Sequence, residues 1–245
     1  MCNGVTPTQV DRSAHTRWTP AVFRYRYCAV WRLRLQIWQR SRPTVTPTFI
    51  LSDRTAAILA ALPEWWKSQA ARVGLSKKWL DIEQALAVSR PNDLPTTLPS
   101  LEITGSMSAQ ALGRAYVESL SPKIRPDDGK HFTPTLLSER LWAMAQDALG
   151  WGVDPVSLPG LVRDPAYGAG SLLLPVIREH LFASRNTEPA LVISGLAARI
   201  LGIDLDEHSV YLANVILGAE ALPTLARVPE PRRHPIPAMA FVGDG

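Results

Sequence analysis

Cysteine is nearly absent: the chain of 245 residues holds only Cys2 and Cys28. So sparse a pair builds neither a disulfide framework nor a metal motif, and a reducing, cytoplasmic setting is expected. The histidines add no metal pattern either. His180, His208 and His234 stand at no ligand spacing, and no cysteine pairs with them. No metal site is therefore expected. No apolar run approaches the roughly 18 residues of a membrane span, so no membrane partner is expected. Arginines interrupt every apolar stretch near the start, which leaves no secretory signal. Internal repeats are absent as well. What remains is a hydrophobic content of 46%, enough for a core, in a length that suits one or two domains.

Acidic residues are scarce in one place. Residues 1–50 carry Arg12, Arg17, Arg24, Arg26, Arg32, Arg34, Arg40 and Arg42 against a single acid, Asp11. This segment's +7 against a total of +4 leaves the remainder at −3. Within FRYRYCAVWRLRLQIW, arginines tend to alternate with apolar or aromatic residues. The favoured reading of residues 1–50 is a basic, disordered or spurious extension. The alternative is an arm that touches phosphates and stacks bases, and a targeting peptide is a third.

The dinucleotide signature GxGxxG is also missing. Residues 163–174 read RDPAYGAGSLLL, a strand end, a tight glycine turn and a helix start, but the third glycine position holds Leu173. Gly168 and Gly170 carry no Cβ and let the backbone approach a ligand. Asp164 at the mouth of the turn repels a pyrophosphate and favours a ligand with positive charge. Leu173 and Asp164 together disfavour an NAD-dependent oxidoreductase.

Four motifs in order carry a family resemblance. DPAYGAGSLL at 164–173 resembles the DPACGSGSFL motif of N6-adenine DNA methyltransferases, the methylase subunits of restriction–modification systems. GKHFTP at 129–134 resembles the G-x-x-Y/F-T-P motif that folds over the methionine end of S-adenosyl-L-methionine. LGIDLD at 201–206 resembles a G-I-D-I-D strand end, and FVGD at 241–244 a strand ending in Gly-Asp. SAQALGRAYVESL resembles the helix that leads into the FTP motif. The resemblance covers about residues 111–245.

This resemblance implies a cofactor, S-adenosyl-L-methionine, and a set of residues to hold it. Phe132, Thr133 and Pro134 would cover its methionine end, with Thr133 on the carboxylate. Asp164, Ala166, Gly168 and Gly170 would form the loop beneath it. Asp204 would accept the ribose hydroxyls, as an acid does in nucleotide-binding folds, and Asp244 the adenine amine. Plainer readings stand beside these. Asp206 is read as the N-cap of the helix EHSVYLANVIL rather than as a ligand. Asp204 as a simple turn residue stays open. His131 is read as a solvated loop residue, and Tyr167, where the family often has Cys, as a packing variant lining the pocket.

Adenine methylation in this family needs an N/D/S-P-P-Y/F/W loop, whose oxygen acceptors hold the amine and whose ring stacks on the flipped base. No such tetrapeptide occurs here, so no catalytic residue is assigned. With the FTP motif first, the order is that of the gamma class, which places the catalytic loop after the strand ending in Asp244. The expectation is the cofactor-binding part of an enzyme that transfers a methyl group to adenine in DNA. Further residues, a specificity subunit or a second chain would complete it. The alternative is a truncated, inactive fragment acting at most as a cofactor-binding or interaction module.

The expected fold is α/β: the N-terminal half of a Rossmann-like methyltransferase sheet, preceded by a small helical region. Strands are expected near 160–165, 198–204 and 239–244, separated by helices and hence parallel. Residues 51–100 are expected to be helical and to end in a Pro-rich linker, and residues 101–245 to form the cofactor domain. Ser52 or Asp53 caps a first helix, Pro63 interrupts it, and residues 75–88 form one further helix. Trp65, Trp66 and Trp79 are read as core. Lys67, Arg72, Lys77 and Lys78 are read as a solvated face, with DNA contact as the alternative. Residues 223–237 are expected to be a flexible loop.

Overall fold

The computed structural model describes residues 51–92, 94, 105–120, 133–151 and 158–244. The basic segment 1–50, most of the Pro-rich linker, His131 and Phe132 lie outside the described residues.

Local chemistry sets the helical elements. Ser52 caps α1 (Asp53–Ala60), its hydroxyl accepting the Thr55 amide at 3.1 Å. Pro63 falls in the first turn of α2 (Leu62–Arg72), where a missing N–H costs nothing. The single helix expected over 75–88 is broken. A 3₁₀ turn at Lys77–Leu80 is followed by a short α3 (Ile82–Ala85). The cause is Asp81, which takes an extended conformation and caps the Gln84 amide at 2.9 Å. Beyond α3, Ala87 donates to the Ile236 carbonyl, a bridge that a helix would forbid. Ser108 caps α4 (Ala109–Ser119), and α5 spans Thr135–Ala148.

The sheet has three parallel strands in the order β1 (Val162–Asp164), β2 (Ile200–Asp204), β3 (Ala240–Val242). Asp164 stands opposite Gly202, and Asp204 opposite Val242. Crossovers run through α6 (Leu173–Ala183) and α7 (Pro189–Gly195), then through α8 (Glu207–Ala226). Right-handed crossovers that step in one direction put their helices on the same face. Consistent with this, α8 packs on both α6 and α7. The α/β class with parallel strands is therefore observed. Among the described residues no strand pairs with the outer edge of β1.

Helix α8 is the centre of the core. It contacts α2, α4, α6, α7, β2 and β3. Trp65, Trp66 and Trp79 are buried, and their cluster is continuous with the core under the sheet. All described residues lie in one compact unit, Thr46–Gly245, so the helices of 51–86 and the sheet share one core.

Two expectations about this helix are corrected. It continues through Pro223 to Ala226, and a 3₁₀ turn follows at Glu230–Arg232, so 223–237 is not one loop. Burial of Leu222 and Leu225 holds the last turn despite the missing proline N–H. At 20 residues α8 is also long and apolar enough to cross a membrane, although 78% of that stretch is buried within the protein. The sequence reading missed this run because Glu220 and Pro223 break it.

Histidine 180 on α6 is buried, and its Nδ1 accepts the Leu158 amide at 3.2 Å. Burial, and then the charge of Arg199, lowers its pKa from 6.5 to about 4. The folded state thus keeps His180 neutral where the unfolded chain protonates it. Stability is complete above pH 6.5 and falls as pH drops toward 4, by at most about 1.4 kcal/mol per pH unit. Thermal unfolding of His180→Gln against the parent over this window should show the difference narrowing as pH falls. A difference independent of pH would contradict the assignment.

Candidate functional site

The C-terminal ends of the three strands converge on one residue, Asp204. From Asp164 the chain turns at once: Asp164 Oδ1 accepts the Ala166 amide at 3.1 Å, and Ala166 itself is exposed. Tyr167 then donates its amide to the Ile203 carbonyl of β2 at 2.9 Å. Gly168 and Gly170 adopt φ of +52° and +83°, the left-handed region that favours glycine. In that conformation the Gly168 amide donates to Asp204 Oδ2 at 2.7 Å. Asp204 Oδ1 accepts the Asp206 amide at 2.9 Å, and the Asp204 carbonyl accepts the Gly243 amide at 2.9 Å. Asp244, the next residue, is exposed at the end of β3.

Asp164, Ala166, Gly168, Asp204 and Asp244 therefore meet at one end of the sheet. Thr133 and Pro134 stand at the start of α5, and no hydrogen bond joins them to this group among the described residues. Helix α5 does pack on α6, the helix that follows the glycine turn.

The two turn glycines differ. No heavy atom lies within 4 Å of the place a Cβ on Gly168 would occupy, so its backbone faces open space. At Gly170 that place is filled by the hydroxyl end of Tyr167. The Tyr167 ring also covers Gly202, where an added Cβ would sit 2.6 Å from Cγ. Tyr167 is thus a buried packing residue, 3% exposed, wedged between the turn and β2 rather than facing a pocket.

The electrostatics favour a cation. Asp164 is buried, and its Oδ2 has no hydrogen-bond partner. Burial raises its pKa above the ordinary 3.8, Asp204 adds to the rise, and the Ala166 amide opposes it. The Tyr167 hydroxyl is likewise buried without a partner. Its pKa is raised well above 10.0 by burial and then by the charge of Asp164.

Three positioning features escaped the sequence reading. Asn214 on α8 is buried and fully used. Its Oδ1 accepts the Met239 and Ala240 amides at 2.8 and 3.0 Å, and its Nδ2 donates to the Ala240 and Val210 carbonyls at 2.8 and 3.0 Å. This clamp fixes β3 and hence Asp244. A lone amide inside the apolar run YLANVIL was the available signal. The second feature is a buried network. Asp206 caps α8 as expected, accepting the His208 amide at 3.0 Å. Its Oδ2 also accepts from Tyr116 on α4 at 2.9 Å and from Ser209 at 2.8 Å. Burial, and then Asp206, pushes the Tyr116 phenol well above its ordinary pKa. Third, Leu205 and Val242 are 44% and 40% exposed beside Asp204 and Asp244, an apolar margin suited to the flat face of a ring.

Among the described residues no group of three metal-ligating side chains stands together. An open cleft of about 570 Å³, lined by Glu83, Arg90 and Asn92 among others, shares no residue with the strand ends. We place the candidate site at the strand ends because the charges and turn glycines converge there. Comparison of the chain with protein families, with curated proteins and with solved structures finds no match.

Two outcomes follow from the packing and charge. Gly202→Ala should destabilise the fold by about 1–3 kcal/mol through overlap with Tyr167. In a Tyr167→Ala background the same change should cost markedly less, as denaturant unfolding of the double-mutant cycle would show. Strictly additive costs would mean that the ring does not rest on Gly202. Separately, Asp164 is more easily protonated in the folded state, so its ionisation removes stability as pH rises from 3.8 through its raised pKa. Asp164→Asn should therefore be more thermostable than the parent at pH 7, with the gap closing in acid. A less stable variant at pH 7 would contradict this.

Proposed function

We propose that this chain is the cofactor-binding part of an S-adenosyl-L-methionine-dependent DNA methyltransferase acting on N6 of adenine, from a restriction–modification or related defence system. The observation that carries this reading is the placement of Asp164, Asp204 and Asp244 at the C-terminal ends of three neighbouring parallel strands, with the glycine turn between the first two. Open α/β sheets bind ligands outside those ends. Sequential parallel strands joined by helices also match one nucleotide-binding half of a doubly wound sheet, which supports the finer fold reading, the N-terminal half of a methyltransferase sheet.

The residues fit the cofactor. The buried Asp164 carboxyl lies beside Asp204, a pairing that suits a cationic group near the turn, and the open space at Gly168 admits close approach. Asp244 is exposed and can accept the adenine amine. Leu205 and Val242 can flank the adenine ring. Asp204 accepts two backbone amides, and its carboxylate can also take a ribose hydroxyl. When bound, the cofactor supplies a methyl group on a positively charged sulfur. The role of the present residues is to bind and orient; polarising the target amine falls to a Pro-Pro-aromatic loop that these residues do not contain. We propose that further residues or a second chain supply it, with DNA and a specificity subunit as partners in a cytoplasmic setting.

One observation favours the second reading, a non-catalytic fragment. The bonds from Gly168 and Asp206 are what Asp204 would make if it served only the turn.

Calorimetric titration of S-adenosylmethionine into the full chain tests the proposal. Binding is expected, weakened roughly tenfold by Asp244→Ala with the fold unchanged, since one hydrogen bond to a charged group contributes about 1.5–3 kcal/mol. NAD should not bind. Silence with S-adenosylmethionine, or equal binding of NAD, would overturn the cofactor assignment.

A further inference from the structure

Helix α5 packs on α6 through one side, which carries Ser138, Trp142 and Gln146. Ser138 is buried, and Trp142 and Gln146, both half-buried, bond to Glu179 of α6, the tryptophan at 2.7 Å. An exposed stripe runs along the outer side, while Leu136, 80% exposed, lies apart from it. Leu137, Leu141 and Met144 are 50%, 44% and 56% exposed, and Ala148 is exposed below them. Their spacing of four, three and four is the a/d repeat of a helix pair, carried over two heptads. Arg140 and Asp147 flank this seam on the same side, seven residues apart. Neither makes an ion pair among the described residues.

We propose that the outer face of α5 binds a second copy of this chain, the two α5 helices pairing antiparallel about a two-fold axis. In that arrangement Leu141 meets Met144 of the other copy, and Leu137 meets Ala148. Arg140 then lies beside Asp147 of the other copy, and symmetry repeats the ion pair. A parallel pair would instead set Arg140 beside Ala145, so charge complementarity selects the antiparallel form.

Sedimentation equilibrium of the full chain over a concentration series tests it. The expected mass rises toward twice the 26.9 kDa of one chain. Leu141→Glu with Met144→Glu should stay at the mass of one chain, with an unchanged circular dichroism spectrum, because both sites are on the surface. Arg140→Asp alone and Asp147→Arg alone should each weaken association at least tenfold, and mixing the two variants should restore it. A parent that stays monomeric throughout, as expected if a different chain covers α5, would overturn the proposal. So would a dimer that survives the double glutamate variant, or a mixture that fails to reassociate.

Discussion

The Asp204 carboxylate is the constraint on which the strand ends depend. One oxygen holds the Gly168 amide of the turn after β1, and the other holds the Asp206 amide that begins α8. The backbone of the same residue receives Gly243 from the end of β3. A single residue thus ties the exits of all three strands. Asparagine there would keep an acceptor for only one of the two amides and alanine for neither, so the turn geometry and any ligand geometry are coupled through it.

Around that knot side chains bond to strand and helix-end backbone. Asn214 takes up backbone groups of Met239 and Ala240 and so anchors the start of β3. Tyr116 and Ser209 hold Asp206 from α4 and α8. These polar contacts lie inside an apolar core, where leaving any of them unpaired would be costly, so they specify one register for the strands. The charge left over is concentrated on Asp164, whose burial works against stability. Natural sites often keep such a cost where a ligand of opposite charge is to bind.

Much of this was legible in the chain. The end of β1 could be read because an acid followed by a glycine turn marks it, and Asp206 could be read as a cap because an apolar run follows it. Other parts depend on partners far away in sequence. The end of the helix after Ala85 is fixed by the bridge to Ile236, and the persistence of α8 through Pro223 by burial of Leu222 and Leu225. Within the site, Gly168 and Gly170 looked equivalent. Only the packing shows that Tyr167 fills the space beside one and leaves the other open. The outward face of α5 was hidden for a similar reason, since periodicity says that a helix is amphipathic but not which side meets the core.

The most direct test of the strand-end site is amide chemical-shift mapping of the full chain with S-adenosylmethionine. The account predicts shifts confined to the Asp164–Gly170 turn, to Asp204–Asp206 and to Val242–Asp244. No shift at saturating ligand, or shifts centred on the cleft near Arg90, would contradict it.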